Sequence, residues 1–201
     1  MGDRYDMYEK CVKRIIDIIL SLIAAPFLLL LTVPIGILIK KEDGGTVFFC
    51  GERYGKNMKK FRMIKFRTMK MNAPDIRNAD GSTFNSAKDD RQTKIGAFLR
   101  KTSIDELPQI FNVFLGDMSL VGPRPSPIGN EKTYNDFVMK KFNVRPGLTG
   151  YNQALLRNSA SMEERYKNDV YYAEHVSFAL DIKLVLLTVK AVLFRKNIYN
   201  S

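Results

Sequence analysis

Two adjacent carboxylates, Asp105 and Glu106, stand in the run Ser103-Ile104-Asp105-Glu106-Leu107-Pro108-Gln109 of a chain that is otherwise strongly basic. Ser103 and Glu106 have the spacing of a capping box. Pro108 fits only the opening turn of a helix, so the acids are expected in that first turn. Free N–H groups there favour negative charge by roughly 0.3 to 1 kcal/mol, which would make the pair local structure and nothing more. Their chemistry depends on what surrounds them. Successive helical residues point about 100° apart, so the two would not share a proton as a facing dyad does. Divided roles fit better: one carboxylate attacks phosphorus, and the other helps hold Mg²⁺, whose charge offsets repulsion between anionic nucleophile and anionic substrate.

Other chemistries have less to work with. His175 is the only histidine, so a histidine-based metal site has no second imidazole and a Ser/His or Cys/His hydrolase would rest wholly on that residue. Cys11 and Cys50 are far apart and without ligand spacing, which suggests neither a disulfide framework nor a zinc site and makes a reducing compartment the default. Lysine and arginine number 32 against 21 acids, a formal charge of +11. That surplus points to phosphate-rich partners: nucleic acid, anionic lipid or phosphorylated small molecules. Several cations are specially placed. On a strand expected over 61–69, period two puts Met63, Lys65, Arg67 and Met69 on one face, where two cations form an anion seat or an ordinary solvated face. Arg124 is fixed between Pro123 and Pro125, and Arg145 precedes Pro146-Gly147 in a second loop. A guanidinium held rigidly suits a phosphate, which it grips through two parallel hydrogen bonds. Arg157 follows in Leu156-Arg157-Asn158.

The elements that must position these groups begin with a membrane-grade segment. Residues 18 to 39 carry no charge, about 33 Å of helix against a hydrocarbon core of about 30 Å. No small-residue cleavage site follows, only Lys40-Lys41-Glu42-Asp43, so the segment is expected to be retained. Pro26 and Pro34 interrupt it and predict a kink. A kinked single-pass anchor and a re-entrant hairpin both fit; Lys13 and Arg14 before it and Lys40 and Lys41 after it favour both ends on the cytoplasmic side. Beyond Gly44-Gly45, Thr46 to Cys50 reads as a strand, and 51–60 as a loop. Residues 70–90 read as a long surface loop, and 93–102 as a helix leading into the acid pair. Helices are expected over 131–142, over 161–172 with Ser161 and Glu164 as a capping box, and over 178–194. The last is too short and too charged to span, and is expected to lie along a membrane surface. At 201 residues without internal repeats, the chain has room for one good core. The fold expected is α+β and mainly helical: a membrane-associated helix-break-helix over 1–41, and a catalytic domain over 42–201 with a short β-hairpin and interfacial amphipathic helices.

Six motifs occur in order: Lys13-Arg14-x-x-Asp17, Lys65-Phe66-Arg67-Thr68-Met69, Asp105-Glu106-Leu107-Pro108-Gln109, Gly116-Asp117-Met118-Ser119, Gly122-Pro123-Arg124-Pro125 and Arg145-Pro146-Gly147-Leu148-Thr149-Gly150. Together they resemble the bacterial sugar transferases known as small monotopic phosphoglycosyl transferases, over nearly the whole chain. The resemblance implies Mg²⁺-dependent transfer of a sugar 1-phosphate from a UDP-sugar to a polyprenyl (undecaprenyl) phosphate. It places the catalytic domain on the cytoplasmic face of the bacterial inner membrane, starting glycoconjugate synthesis. It makes Asp105 the nucleophile, in a ping-pong mechanism through a covalent phosphosugar-aspartate, and Glu106 the acid beside the metal. It makes Lys65, Arg67, Arg124, Arg145 and Arg157 candidates for holding phosphates. Lys13, Arg14, Asp17, Pro26 and Pro34 mark the membrane interface, with a re-entrant helix broken in its middle. The expected partners are the UDP-sugar, the polyprenyl phosphate and an anionic bilayer, without nucleic acid; a homodimer is compatible with the same reading. Three positions depart from the family pattern: Ala25-Pro26 and Val33-Pro34 where a Ser-Pro pair is common, Gly45-Thr46 where Gly-Pro is frequent, and Leu155-Leu156 where many members carry Asn-Gly. The rival class is a membrane-tethered basic module that binds nucleic acid or anionic lipid, for which the acid pair would be irrelevant.

Overall fold

A computed structural model describes residues 7–76, 78, 84, 86, 89–156 and 161–194. A short π-helical turn, Tyr8–Val12, leads into a helix α1 of 31 residues, Lys13–Asp43. The helix runs uninterrupted through Pro26 and Pro34, so the break expected at one of them is absent from the secondary structure. A proline removes one N–H from the ladder, and between the two Thr32 Oγ1 donates to the Leu28 carbonyl at 2.8 Å. Lys13, Asp17, Ser21, Leu28, Ile35 and Ile39 are buried at helical spacing and rest α1 on the remainder of the chain along its length. The stripe is polar at its start and apolar at its end. Around it, Ile15, Ile19, Leu22, Ile23, Phe27, Leu30, Val33, Ile37 and their neighbours are exposed.

Both ends of α1 are fastened to one body. At the start, Lys13 pairs with Asp181, Arg14 donates to the carbonyls of Val113 (2.6 Å) and Phe114 (2.8 Å), and Asp17 Oδ1 accepts from Leu120 N (2.9 Å). At the end, the Glu42 carboxylate accepts from Lys94 N (2.5 Å) and Ile95 N (3.0 Å), and Asp43 takes both Arg67 Nη groups at 2.5 Å.

The hairpin forms from β1 (Phe48–Tyr54) and β2 (Lys60–Phe66), antiparallel, with Phe48 opposite Phe66 and Tyr54 opposite Lys60. The first strand is longer than expected and the loop shorter, because Gly51 pairs with Met63 instead of ending the strand. The second strand ends at Phe66, after which Arg67 is drawn to Asp43. Helix α2 (Lys94–Thr102) is capped by Thr93, whose side chain accepts from Gly96 N. A 3-10 turn (Ile104–Glu106) and helix α3 (Gln109–Leu115) follow. Strand β3 (Ser119–Val121) and the two-residue β4 (Ser126–Pro127) come next, and β4 joins β1 to complete a sheet of order β2-β1-β4. The helix expected over 131–142 divides into a 3-10 turn (Glu131–Thr133), α4 (Asp136–Met139), capped by Asn135, and a second 3-10 turn (Lys140–Asn143). Strand β5 (Gly147–Thr149) pairs in parallel with β3, followed by α5 (Tyr151–Leu155), α6 (Met162–Glu174) and α7 (Phe178–Leu193). Ser161 caps α6 as expected.

The main core joins Leu28, Ile35 and Ile39 of α1 to Phe66, Leu99 and Ile110, with Ile104, Leu107 and Phe111 packed against it. The apolar residues around the acid pair are therefore seated on the N-terminal helix. A second core under β3 and β5 gathers Val121, Val144, Tyr172, Val176 and Leu184. Helix α7 buries Asp181 and Leu184 there and leaves Phe178, Ile182, Leu186 and Val189 exposed, an apolar outer face like that of α1.

Candidate active site

The acid pair does not sit in the capping box expected for it. Ser103 ends α2 in the left-handed region, at φ 59°, and its side chain caps nothing. This bend turns the chain so that Ile104 and Leu107 face the core while the carboxylates are drawn toward β2 and the Pro123–Pro125 loop. Glu106 Oε1 accepts from Lys65 Nζ at 2.6 Å and from Arg124 Nη2 at 3.2 Å. Asp105 is 8% exposed, and its carboxylate makes no hydrogen bond or ion pair among the described residues.

The two acids are consequently pushed apart. Burial raises Asp105 to about 6, against the attraction of Lys65, with the Glu106 charge adding to the rise. For Glu106 burial acts in the same direction, but Lys65 and Arg124 outweigh it and hold the carboxylate down to about 2. Arg124 in turn is raised, chiefly by the Glu106 charge. The result is one permanently ionised acid held by cations, and one unbound acid whose charge is costly. An unpaired anion beside cations, ionising near neutral pH, has the character of a nucleophile.

The arrangement depends on close backbone packing. Gly147 lies so near Gly122 N that a side chain would collide with it, and Gly150 meets Gly122 O in the same way. These contacts lock the loop carrying Arg124 against the Arg145-Pro146 segment. Asn112, fully buried, bonds β2 on both sides: its Oδ1 accepts from Ile64 N (2.9 Å) and its Nδ2 donates to Arg62 O (2.8 Å). Lys65 is thereby set beside Glu106.

The structure brings Asp105, Glu106, Lys65 and Arg124 together and sends other candidates elsewhere. Arg67 is buried against Asp43 and also donates to the Thr46 (2.6 Å) and Met69 (3.0 Å) carbonyls; it ties α1 to the hairpin. Arg145 donates from Nε to Gly116 O (2.9 Å) and lines a small cavity of mixed character with Lys13, Asp17, Val144 and Tyr172 among others. Lys13 and Asp17 are buried and, with Arg14, are bonded within the protein. Pro26 and Pro34 are exposed on the apolar outer side of α1. Arg157 lies outside the described residues. One cation was missed from sequence: Arg100, in the last turn of α2, whose charge reaches Asp105 and whose Nε donates to Thr68 Oγ1 at 3.0 Å. Its only signal was its position five residues before Asp105.

No group of three or more His, Cys, Asp or Glu side chains is arranged for a metal among the described residues. Mg²⁺ commonly takes only one or two carboxylates, completing its shell with water and substrate phosphates. The free Asp105 carboxylate and the second oxygen of Glu106 fit such a partial donor set.

Comparison with known sequences adds the family. The profile described as "Bacterial sugar transferase" matches residues 8–195. The chain belongs to that family of phosphoglycosyl transferases. An uncharacterized sugar transferase, EpsL, of Bacillus subtilis is 39% identical over 193 residues, covering 94% of this chain and 91% of its own. The galactosyl transferase CpsE of Streptococcus agalactiae is 41% identical over 200 residues, 94% of this chain and 44% of that protein. The UDP-glucose:undecaprenyl-phosphate glucose-1-phosphate transferase of Escherichia coli is 36% identical over 197 residues, 92% of this chain and 42% of that one. The chain thus spans less than half the length of the latter two relatives. This bacterial sugar transferase domain also contains the N-terminal apolar helix, which is long and apolar enough to cross a membrane.

Proposed function

We propose that the protein transfers a sugar 1-phosphate from a UDP-sugar to a polyprenyl phosphate, and that Asp105 is the nucleophile. The observation that carries this reading is the separation of the acid pair: Glu106 is bound by Lys65 and Arg124, while Asp105 is buried, unpartnered and raised toward neutrality. In the first step an Asp105 oxygen attacks the β-phosphorus. An O–P bond forms, the bond from that phosphorus to the bridging oxygen breaks, and UMP departs with that oxygen. In the second step an oxygen of the lipid phosphate attacks the same phosphorus, the aspartyl–phosphorus bond breaks, and polyprenyl-diphosphate-sugar leaves with Asp105 regenerated. Lys65, Arg100 and Arg124 supply positive charge where phosphate oxygens gather. Glu106 keeps Lys65 and Arg124 in place and does not itself attack phosphorus. Asp105 and Glu106 would hold Mg²⁺, which supplies charge neutralisation for the diphosphate.

Membrane attachment follows the same reading. A spanning helix delivers its ends to opposite sides of the bilayer, yet Arg14 and Asp43 are bound to a single body. Both ends of the helix then lie on one side of the bilayer with that body, its exposed apolar side and that of α7 against the lipid and the acid pair on the cytoplasmic face, where UDP-sugars occur. A purely basic binding module leaves the unpartnered Asp105 without a role. The test is UMP release from UDP-glucose, UDP-galactose and UDP-N-acetylgalactosamine with undecaprenyl phosphate and Mg²⁺. Lipid-dependent release supports the reading. Failure with every donor, alongside binding to vesicles that weakens steeply with salt and ignores Asp105→Asn, would favour the binding module.

A further inference from the structure

Helix α3 carries two buried carboxamides three residues apart, and they are treated differently. Asn112, 1% exposed, is satisfied by the backbone of β2. Gln109, 3% exposed, has an amide Nε2 that is buried and without a hydrogen-bond partner among the described residues. A buried donor left unmade costs about 1 to 3 kcal/mol; of the side chains with such an atom among the described residues, which also include Gln92, Ser119 and Gln153, Gln109 is the one four residues from Asp105. Helical backbone continues from the 3-10 turn through Leu107 and Pro108 into α3. Asp105, Gln109 and Asn112 therefore stand at i, i+4 and i+7, on one stripe. The far end of that stripe is bonded to Arg62 and Ile64 of β2; the near end faces the charge of Lys65, the next residue on that strand. Gln109 lies between them.

We propose that Gln109 is a catalytic hydrogen-bond donor whose acceptor arrives with the substrate: Nε2 binds an oxygen of the phosphoryl group as that group moves onto Asp105. The inference rests on the reading of Asp105 as nucleophile. No acceptor among the described residues reaches that donor, which leaves it for an acceptor the substrate brings. A donor aimed at charge that develops during reaction stabilises the transition state without stabilising the resting enzyme.

The test compares Gln109→Met with the wild-type chain in the same vesicles, reading the rate of UMP release and the melting temperature together. Met matches the length of Gln and removes both donor and acceptor. The proposal expects turnover to fall on the order of 100-fold, as for loss of one oxyanion donor, with the melting temperature unchanged or raised because an unsatisfied buried group is gone. Gln109→Glu, which puts an acceptor where a donor is needed, is expected to be at least as slow. Unchanged turnover in Gln109→Met overturns the proposal. So does a melting temperature that falls with the turnover, which would make Gln109 a packing residue. Wild-type protein that releases no UMP from any donor defeats the reading of Asp105 itself, an outcome distinct from a working wild type with an unaffected variant.

Discussion

Asp105 and Glu106 are chemically near-identical neighbours, and the fold gives them opposite fates. Glu106 meets Lys65 at 2.6 Å and Arg124 at 3.2 Å and stays ionised. Asp105, one residue earlier, is turned into a buried position without a bonding partner among the described residues and is raised to about 6. Proximity to cations is shared by both, so positive charge alone does not make a nucleophile. What differs is commitment: Glu106 Oε1 is bonded to two cations, while neither oxygen of Asp105 is bonded to any of the described residues. Environments that drive paired acids apart in this way assign their roles.

The comparison breaks most sharply at Asp105. Asp105→Asn keeps the shape and removes the nucleophilic charge; turnover should fall by ~10⁴ or more, the scale seen when a nucleophile is lost. The melting temperature at neutral pH should hold or rise, because an ionised group disfavoured by burial is gone. A UMP-release assay beside a thermal melt checks both. The next largest effect is expected at Lys65, the first partner of Glu106 and the strongest attraction on Asp105. Lys65→Met should destabilise by about 2 kcal/mol, as for loss of a charge-assisted hydrogen bond, measurable by urea unfolding. It should also move the acid limb of activity to higher pH, since less positive charge then opposes protonation of Asp105.

That limb is itself a prediction. Attack requires ionised Asp105, so kcat/KM should rise with pH through about 6 and level off above it. Stability moves the other way in that window. The folded state binds a proton at Asp105 that the unfolded chain has already lost, so its contribution to stability declines as pH rises from the ordinary carboxylate range to about 6. Glu106 has the opposite sign: its contribution is present above the ordinary range and is lost as pH falls toward about 2. The smallest effect on stability is expected at Arg124, whose side chain is 52% exposed. Arg124→Ala should cost no more than about 0.5 kcal/mol while raising KM for the UDP-sugar, which separates a substrate contact from a structural one.

Much of this site is legible in the sequence because it is written locally. Residues fixed by neighbouring prolines, as Arg124 is, or a cap such as Ser161, declare themselves within a few positions. The periodic apolar runs foretold α1 and α7. Partners distant in the chain were not legible. Arg67 and Lys65 alternate on the same strand pattern, yet one is consumed by Asp43, 24 residues away, and the other reaches Glu106, 41 residues away. Lys13 and Asp17 were expected at the membrane interface beside the apolar segment; here Asp181 and the Leu120 amide bind them. The Ser103–Glu106 spacing matched a capping box, but the left-handed turn at Ser103 freed Glu106 for tertiary partners. The prolines of α1 predicted a break, and the helix continues in its secondary structure through both, beside a buried stripe 27 residues long from Lys13 to Ile39.

The division of labour between the two acids is tested most directly by intact and peptide mass spectrometry after mixing the protein with UDP-sugar and Mg²⁺ in the absence of lipid acceptor. The account predicts a mass gain of one sugar phosphate, mapped to Asp105, discharged on adding undecaprenyl phosphate and missing from Asp105→Asn. An adduct on Glu106, or sustained lipid-dependent turnover by Asp105→Asn with no adduct at any residue, would contradict it.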